Sequence, residues 1–389
     1  MKNSRKGILM IMKKRLLALL CALTLAVGAT ACATSCSGEN ETNAQQTEDN
    51  NNTGNTQQAE NAAGSTDAGD AAESAVYTPG VLSNPDASEA AQDLFAYICD
   101  TYGNAILSGQ QESTWMGSEQ YEFDYIYDNT GKYPAIRGLD YMNDDFDGVN
   151  RRAKEWYDRG GIVTICWHCG SDFSGSWSEC MNTTITDWDK ALTEGTPEYE
   201  TLIKGMDKAA EALQELKEEN IPVLWRPFHE FDGAWFWWGK GGSENFKKLW
   251  IMMYDRYTNY WGLDNLIWVL GYSGNGNGYA DWYPGDAYVD IAGADSYNDG
   301  SNAALYNKVK DVVGEERPIC FHECGRIPTV DQLTTTHAGW VWFMTWHTEH
   351  ITDHNDTDTL NEIYNDDYVI TLDELPDLYN TKENPAAEK

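Results

Sequence analysis

"IPVLWRPFHE", residues 221–230, is a short apolar, β-rich run that ends in polar residues, and "FDGAWFWWG" (231–239) follows it directly. The run delivers a carboxylate, Glu230, to the edge of three indoles, Trp235, Trp237 and Trp238. Either those indoles are core, or they form a surface against which something flat is held beside the acid.

The same pattern recurs along the chain. "AILSGQ" (105–110), "YPAIRGLD" (133–140) and "GIVTICWH" (161–168) precede it. "NLIWVLGY" (265–272), "VDIAGADSY" (289–297), "RPICFHE" (317–323) and "GWVWFMTWH" (339–347) come after. Helical spacing separates most of these runs. It is clearest over Tyr199–Glu219, where Leu202, Met206, Ala209, Ala210, Leu213 and Leu216 recur on one face, and similar over Glu244–Tyr260 and Asn302–Val313. Eight strands alternating with helices predict an α/β fold of the (β/α)8 TIM-barrel type. A doubly wound sheet is the alternative, but it would normally carry a glycine-rich phosphate loop after its first strand, and "SGQQES" (108–113) is not one. In a barrel the C-terminal ends of the strands carry the chemistry. Here they carry His168, Glu230, Tyr297, Glu323 and His347.

The N-terminal quarter reads differently. Residues 1–36 form an export signal, with a basic start, an apolar run and a small-residue end in "MKKRLLALLCALTLAVGATA" (12–31), too short and wrongly flanked for a membrane span. "CATSC" then offers Cys32 or Cys36 as a lipid-anchored terminus. Residues 37–75 hold no aromatic residue and read as a disordered low-complexity linker that cannot bury enough apolar surface to offset its chain entropy. One domain, 76–380, remains. The expected protein is therefore exported, secreted or held at a bacterial cell surface as a lipoprotein, touching a membrane only through its anchor, and monomeric.

The formal charge is −35, and loss of the six positive charges of the export segment takes it near −41. Such charge repels phosphate and excludes nucleic acid and anionic lipid as partners. It tolerates a neutral substrate, and 16 Trp with 22 Tyr suit the flat faces of sugars. Six of the nine cysteines fall in the domain, where an oxidising compartment makes Cys169–Cys180 the plausible local bridge. "CWHC" (166–169) is read as structure rather than redox chemistry.

Glu230 and Glu323 end the fourth and seventh runs, each inside "FHE". Opposed across a barrel mouth at about 5–5.5 Å, they fit a retaining glycosidase. One carboxyl must stay protonated and the other ionised, so their environments must differ. Glu230, among Phe228, Phe231 and the Trp run, is expected to be raised by desolvation and to act as acid/base. Glu323, with Arg226 and Tyr297 as partners, is expected to be the nucleophile. A lone Glu would be read as a solvated residue; two at matching ends are not. No cofactor and no metal is expected. His229 and Glu230, as neighbours on a strand, should point opposite ways, there is no HExxH, and His347, His350 and His354, loosely spaced in a polar loop, are read as exposed residues in preference to a metal site. Trp235 is expected beside the acid as a stacking platform and Trp346 as a second one. Trp237 and Trp238 should stiffen the loop, and Trp340 and Trp342 should be core.

These segments resemble a known family. "WRPFHEFDGAWFWWG" (225–239), "GADSYND" (293–299), "FHECGRIP" (321–328) and "WFMTWH" (342–347) are similar, in order, to motifs of glycoside hydrolase family 26, the β-mannanases. The resemblance implies Glu230 as acid/base and Glu323 as nucleophile. It implies that His229 stands where most of the clan has Asn, and that Tyr297 bonds the nucleophile with Asp295 beside it. His168, Trp235 and Trp346 would line the sugar sites. Asp232 departs from the Asn often found there. The implied activity is endo-cleavage of β-1,4-mannan, with β-glucanase or β-1,3-xylanase action, or non-catalytic glycan capture, as alternatives.

Overall fold

The computed structural model describes residues 76–379. The export signal, the anchor cysteines and the linker lie outside the described residues. Eight parallel strands close into a barrel: β1 Ile106–Gln111, β2 Ile136–Asp140, β3 Ile162–Cys166, β4 Val223–Arg226, β5 Leu266–Tyr272, β6 Ile291–Ser296, β7 Ile319–Cys324 and β8 Trp342–Thr345. β8 pairs with β1 and β1 with β2, which completes the ring and bears out the barrel reading. A short β9, Val369–Ile370, lies beside Ile106 and Leu107, below the point where β2 joins β1. Nearly every strand residue is buried, as a sheet covered on both faces requires.

Alternation sorts the strand residues into two cores. Leu107, Ile136, Ile162, Leu224, Ile267 and Ile291 pack together inside the ring, with Leu94, Phe95 and Ile98 of the helix Glu89–Thr101 against them. Val163, Val223, Trp225, Trp268 and Phe321 belong to the outer layer under the helices. Trp340 and Trp342 are both buried, as expected. The expected helices are found as Pro197–Glu218, Ser243–Asp255 and Ala303–Val313, the second ending in a π-turn over Arg256–Tyr260. Among the described residues no helix is long and apolar enough to cross a membrane.

Three readings are corrected. The fourth strand ends at Arg226, not Glu230, because Pro227 has no N–H to continue the ladder. Phe228 and Glu230 then take left-handed backbone (φ 51° and 55°), so His229 and Glu230 are turn residues and the strand rule for their directions does not apply. The expected Cys169–Cys180 bridge is absent: both are buried free thiols, like Cys166, Cys320 and Cys324.

Candidate active site

All nine residues singled out from the sequence gather at the C-terminal end of the barrel. Glu323 is the centre. β7 carries one residue more than β6 between the pairs Ala294–Phe321 and Asp295–Glu323, a bulge at His322 that re-aims the strand. Consecutive side chains then meet the same guanidinium: Arg226 Nη1 lies 2.8 Å from Glu323 Oε1 and 3.2 Å from His322 Nδ1. On the other side the Tyr297 hydroxyl donates to Glu323 Oε2 at 3.0 Å. Burial pushes the Glu323 carboxyl up to about 7, with Arg226 pulling against it and Glu230 adding to the rise.

Glu230 stands on the turn after β4, its backbone N–H bonded to the Gly271 carbonyl at 2.8 Å. Oxygens of Glu230, Asp295 and Glu323 all lie within 4.8 Å of one another. Burial, followed by the charge and hydrogen bond of Glu230, pushes Asp295 well above the carboxylate range. Trp235 was expected beside Glu230, with Trp237 and Trp238 packed in the loop, and the three indoles divide in that way. Trp235 alone of the three reaches the acid, with the polar edge of its ring, Nε1 donating to Glu230 Oε2 at 2.9 Å. That indole lies flat on Gly233, where a Cβ would stand 2.0 Å from Trp235 Cζ3. Trp237 and Trp238 are buried, as expected, and donate to the carbonyls of Cys169 and His229.

His229 is fully buried, and both of its ring nitrogens lack a protein partner, although Nε2 is 3.4 Å from Glu323 Oε1. Burial, reinforced by Arg226, drives its pKa well down and keeps it neutral. His168 sits edge-on to it at 4.6 Å and pairs through Nδ1 with Asp140 Oδ2 at 2.6 Å. Burial opposes charge on both members of that pair. Their mutual attraction outweighs it, so His168 rises and Asp140 falls.

Beyond His168 and Trp346 a cavity of about 600 Å³ runs over the ends of β1, β2 and β3. Its walls include Glu112, Asp140, His347 and two tryptophans, Trp115 and Trp177, each more than half exposed. The sequence reading missed Asp140, Trp115 and Trp177. Asp140 was available, since it ends the second run at the level of His168; Trp115 sits on a loop and Trp177 opens the short helix Trp177–Asn182, and neither has a periodicity to betray it. His347 is half-buried in this wall rather than exposed, and burial lowers it to about 4.

A barrel with an opposed Glu pair, a cationic partner for one of them and an aromatic-lined cleft has close likenesses. The model for glycosyl hydrolase family 26 matches residues 83–374. A mannan endo-1,4-beta-mannosidase of Thermothelomyces thermophilus is 36% identical over 315 residues, covering 76% of this chain and 63% of its own. One from Bacillus subtilis is 29% identical over 300 residues, covering 68% of this chain and 82% of its own. The crystal structure of a ruminal GH26 endo-beta-1,4-mannanase superposes with a TM-score of 0.71 at 35% identity, covering 76% of this chain and 70% of that one. This chain belongs to glycosyl hydrolase family 26. It spans 63% of the length of the Thermothelomyces relative and about half that of two similar Piromyces proteins, at 53% and 50%.

Proposed function

We propose that the chain is a retaining endo-β-1,4-mannanase. The observation that carries this is the approach of a Glu230 oxygen to within 4.8 Å of a Glu323 oxygen. It leaves no room for the water that an inverting enzyme holds between carboxyls about 6.5–9.5 Å apart. The mannan substrate rests on the names of the relatives. In the first step Glu323 attacks the anomeric carbon as the C–O bond to the leaving sugar breaks, and Glu230 gives its proton to the departing oxygen. In the second, Glu230 takes a proton from water, which attacks the anomeric carbon and releases Glu323.

The remaining residues fit supporting roles. Arg226 and Tyr297 hold Glu323 in place and favour its charged form. His229, buried with two unused nitrogens, offers hydrogen bonds to a sugar hydroxyl, which offsets the cost of leaving them unpaired. Trp235, Trp346 and His168 line the path of the chain. No step calls for a metal or cofactor. The same reading makes 76–380 the catalytic domain of an exported monomer, tethered through 37–75. A mature N-terminus found by mass spectrometry away from Cys32 and Cys36, without lipid, would remove the anchor from it.

The test is reducing-sugar release from unbranched mannan, galactomannan, barley β-glucan and β-1,3-xylan in parallel, with NMR of the first product. Preference for the mannans and a β-anomer formed first are expected. Preference for glucan or xylan overturns the substrate, and an α-anomer overturns retention.

A further inference from the structure

The loop after β8 holds a feature that the glycosidase chemistry does not use. His350 and His354 lie four residues apart at the end of the short helix Glu349–Thr352, and their Nδ1 atoms face each other at 3.1 Å. Their rings stand at 80° with centroids 4.7 Å apart. His350 is half-buried and His354 exposed. A solvent-exposed imidazole gains nothing over water by bonding to a second one, so another reason for the convergence is needed. Two nitrogens bound at ~2.0–2.1 Å to one ion stand about 2.9–3.4 Å apart, from square-planar to tetrahedral geometry. The observed spacing falls inside that window. His354 lies past the C-cap of that helix, so it is the 3.1 Å approach and not a shared helical face that presents both nitrogens to one ion.

We propose that His350 and His354 chelate one borderline-soft divalent ion, of the zinc or copper class, through both Nδ1 atoms at the rim of the cleft. Both rings then carry their remaining proton on Nε2, and water completes the coordination. The surroundings favour a cation: Glu349 is adjacent to His350 and Asp353 to His354, and Asp356 caps the helix Thr357–Tyr364 that follows. The loop is also held in register. Asn355 donates to the carbonyls of His350 (2.6 Å) and Gly325 (3.2 Å) and accepts from the Ile327 N–H (2.9 Å). Arg326 donates to the His354 carbonyl at 2.8 Å. His350 is therefore anchored at its backbone, and its ring packs 4.9 Å from that of Tyr297, whose hydroxyl holds Glu323. An ion here is fixed against the element that steadies the nucleophile, without touching the reacting atoms.

The experiment titrates the full chain, purified without a histidine tag, with Cu²⁺ and with Zn²⁺. Binding is followed by calorimetry, copper coordination by EPR, and melting temperature with and without zinc. One saturable ion per chain is expected, with two nitrogen ligands in the EPR spectrum and a rise of a few °C at saturating zinc. His354→Gln and His350→Gln should each weaken binding tenfold or more and abolish the shift, while His337→Gln, on a distant exposed turn, should change neither. His354→Gln should hydrolyse glycan at the wild-type rate in chelator, which shows that it folds. Absence of saturable binding below millimolar ion overturns the proposal, as does unchanged binding in either substituted pair member. Neither readout depends on hydrolytic activity.

Discussion

The chain writes Phe-His-Glu twice, at 228–230 and 321–323, and folds the two copies differently. In the second copy all three residues lie in β7, and the bulge at His322 brings both His322 and Glu323 to Arg226. In the first copy the strand has already ended, and left-handed turns at Phe228 and Glu230 carry the triplet over the mouth of the barrel. The histidines consequently part company. His322 accepts from Arg226 through Nδ1 and donates to the Tyr272 carbonyl through Nε2 at 2.9 Å, packed where Gly271 has no side chain to obstruct it. Neither ring nitrogen of His229 has a hydrogen-bond partner, although Nε2 lies 3.4 Å from Glu323 Oε1. Identical side chains become a satisfied scaffold in one place and a buried group with unused nitrogens in the other, because the backbone beneath them differs.

The largest effect separates the two glutamates. Glu323→Ala should lower turnover about 10⁴-fold or more on every substrate. Glu230→Ala should cost about 10²–10⁴-fold on polysaccharide, yet much less in the glycosylation of an aryl mannoside whose leaving group needs no proton. Pre-steady-state kinetics on that aryl substrate would exchange the two roles if Glu323→Ala were the variant that kept its burst.

The two histidines should break in different assays. His229→Ala should lose about 10²-fold in kcat/KM, the worth of hydrogen bonds to a sugar hydroxyl, and should destabilise only through the cavity it opens, since it breaks no protein hydrogen bond. His322→Ala should cost about 3 kcal/mol of stability, since it strands a buried carbonyl and opens a cavity. Denaturant melts of both variants, read beside their kinetics, check the contrast; equal behaviour in both assays would dissolve it.

A smaller effect lies in the pH profile. Glu323 is pushed up to about 7, so it is protonated and unreactive below that, and kcat/KM should fall as pH drops through about 7. Tyr297→Phe removes a hydrogen bond that favours the charged form, so the acid limb should move up by about one pH unit. An unmoved limb would mean that the limb belongs to another group.

The smallest change in activity is expected at Asp232, on the turn that carries Glu230. Its Oδ1 accepts from the Ser273 N–H at 2.7 Å, but Oδ2 is buried without a partner, and burial raises the carboxyl to about 6. A folded-state value above the unfolded one means that stability is lost as pH rises from about 4 through 6. Asp232→Asn should therefore be more stable than the parent at pH 7, by up to about 3 kcal/mol, and the gain should vanish near pH 4. Melting curves at the two pH values test this.

Much of this could be read from the sequence. Eight apolar runs with helices between them leave few folds open, because a sheet covered on both faces must be apolar throughout and its strands must be joined by crossovers. The place of the two glutamates at the barrel mouth was legible for the same reason, since strand ends are sequence-local, although Glu230 stands on the turn past the end of its strand. The pairing of Glu323 with Arg226 and Tyr297 followed from topology alone and was found.

What the sequence left open is what depends on backbone that no periodicity encodes. Pro227 marks the end of β4, but not the left-handed turns that aim His229, and nothing in "RPICFHE" announces a bulge. The indoles were counted correctly, yet which edge of Trp235 meets Glu230 depends on its seat on Gly233. The Cys169–Cys180 spacing suited a bridge that the fold does not make. Identity and spacing along the chain therefore determined the barrel, its chemical end and its two acids. Tertiary structure decided which buried polar atoms are satisfied, because that depends on partners hundreds of residues away and on single backbone angles.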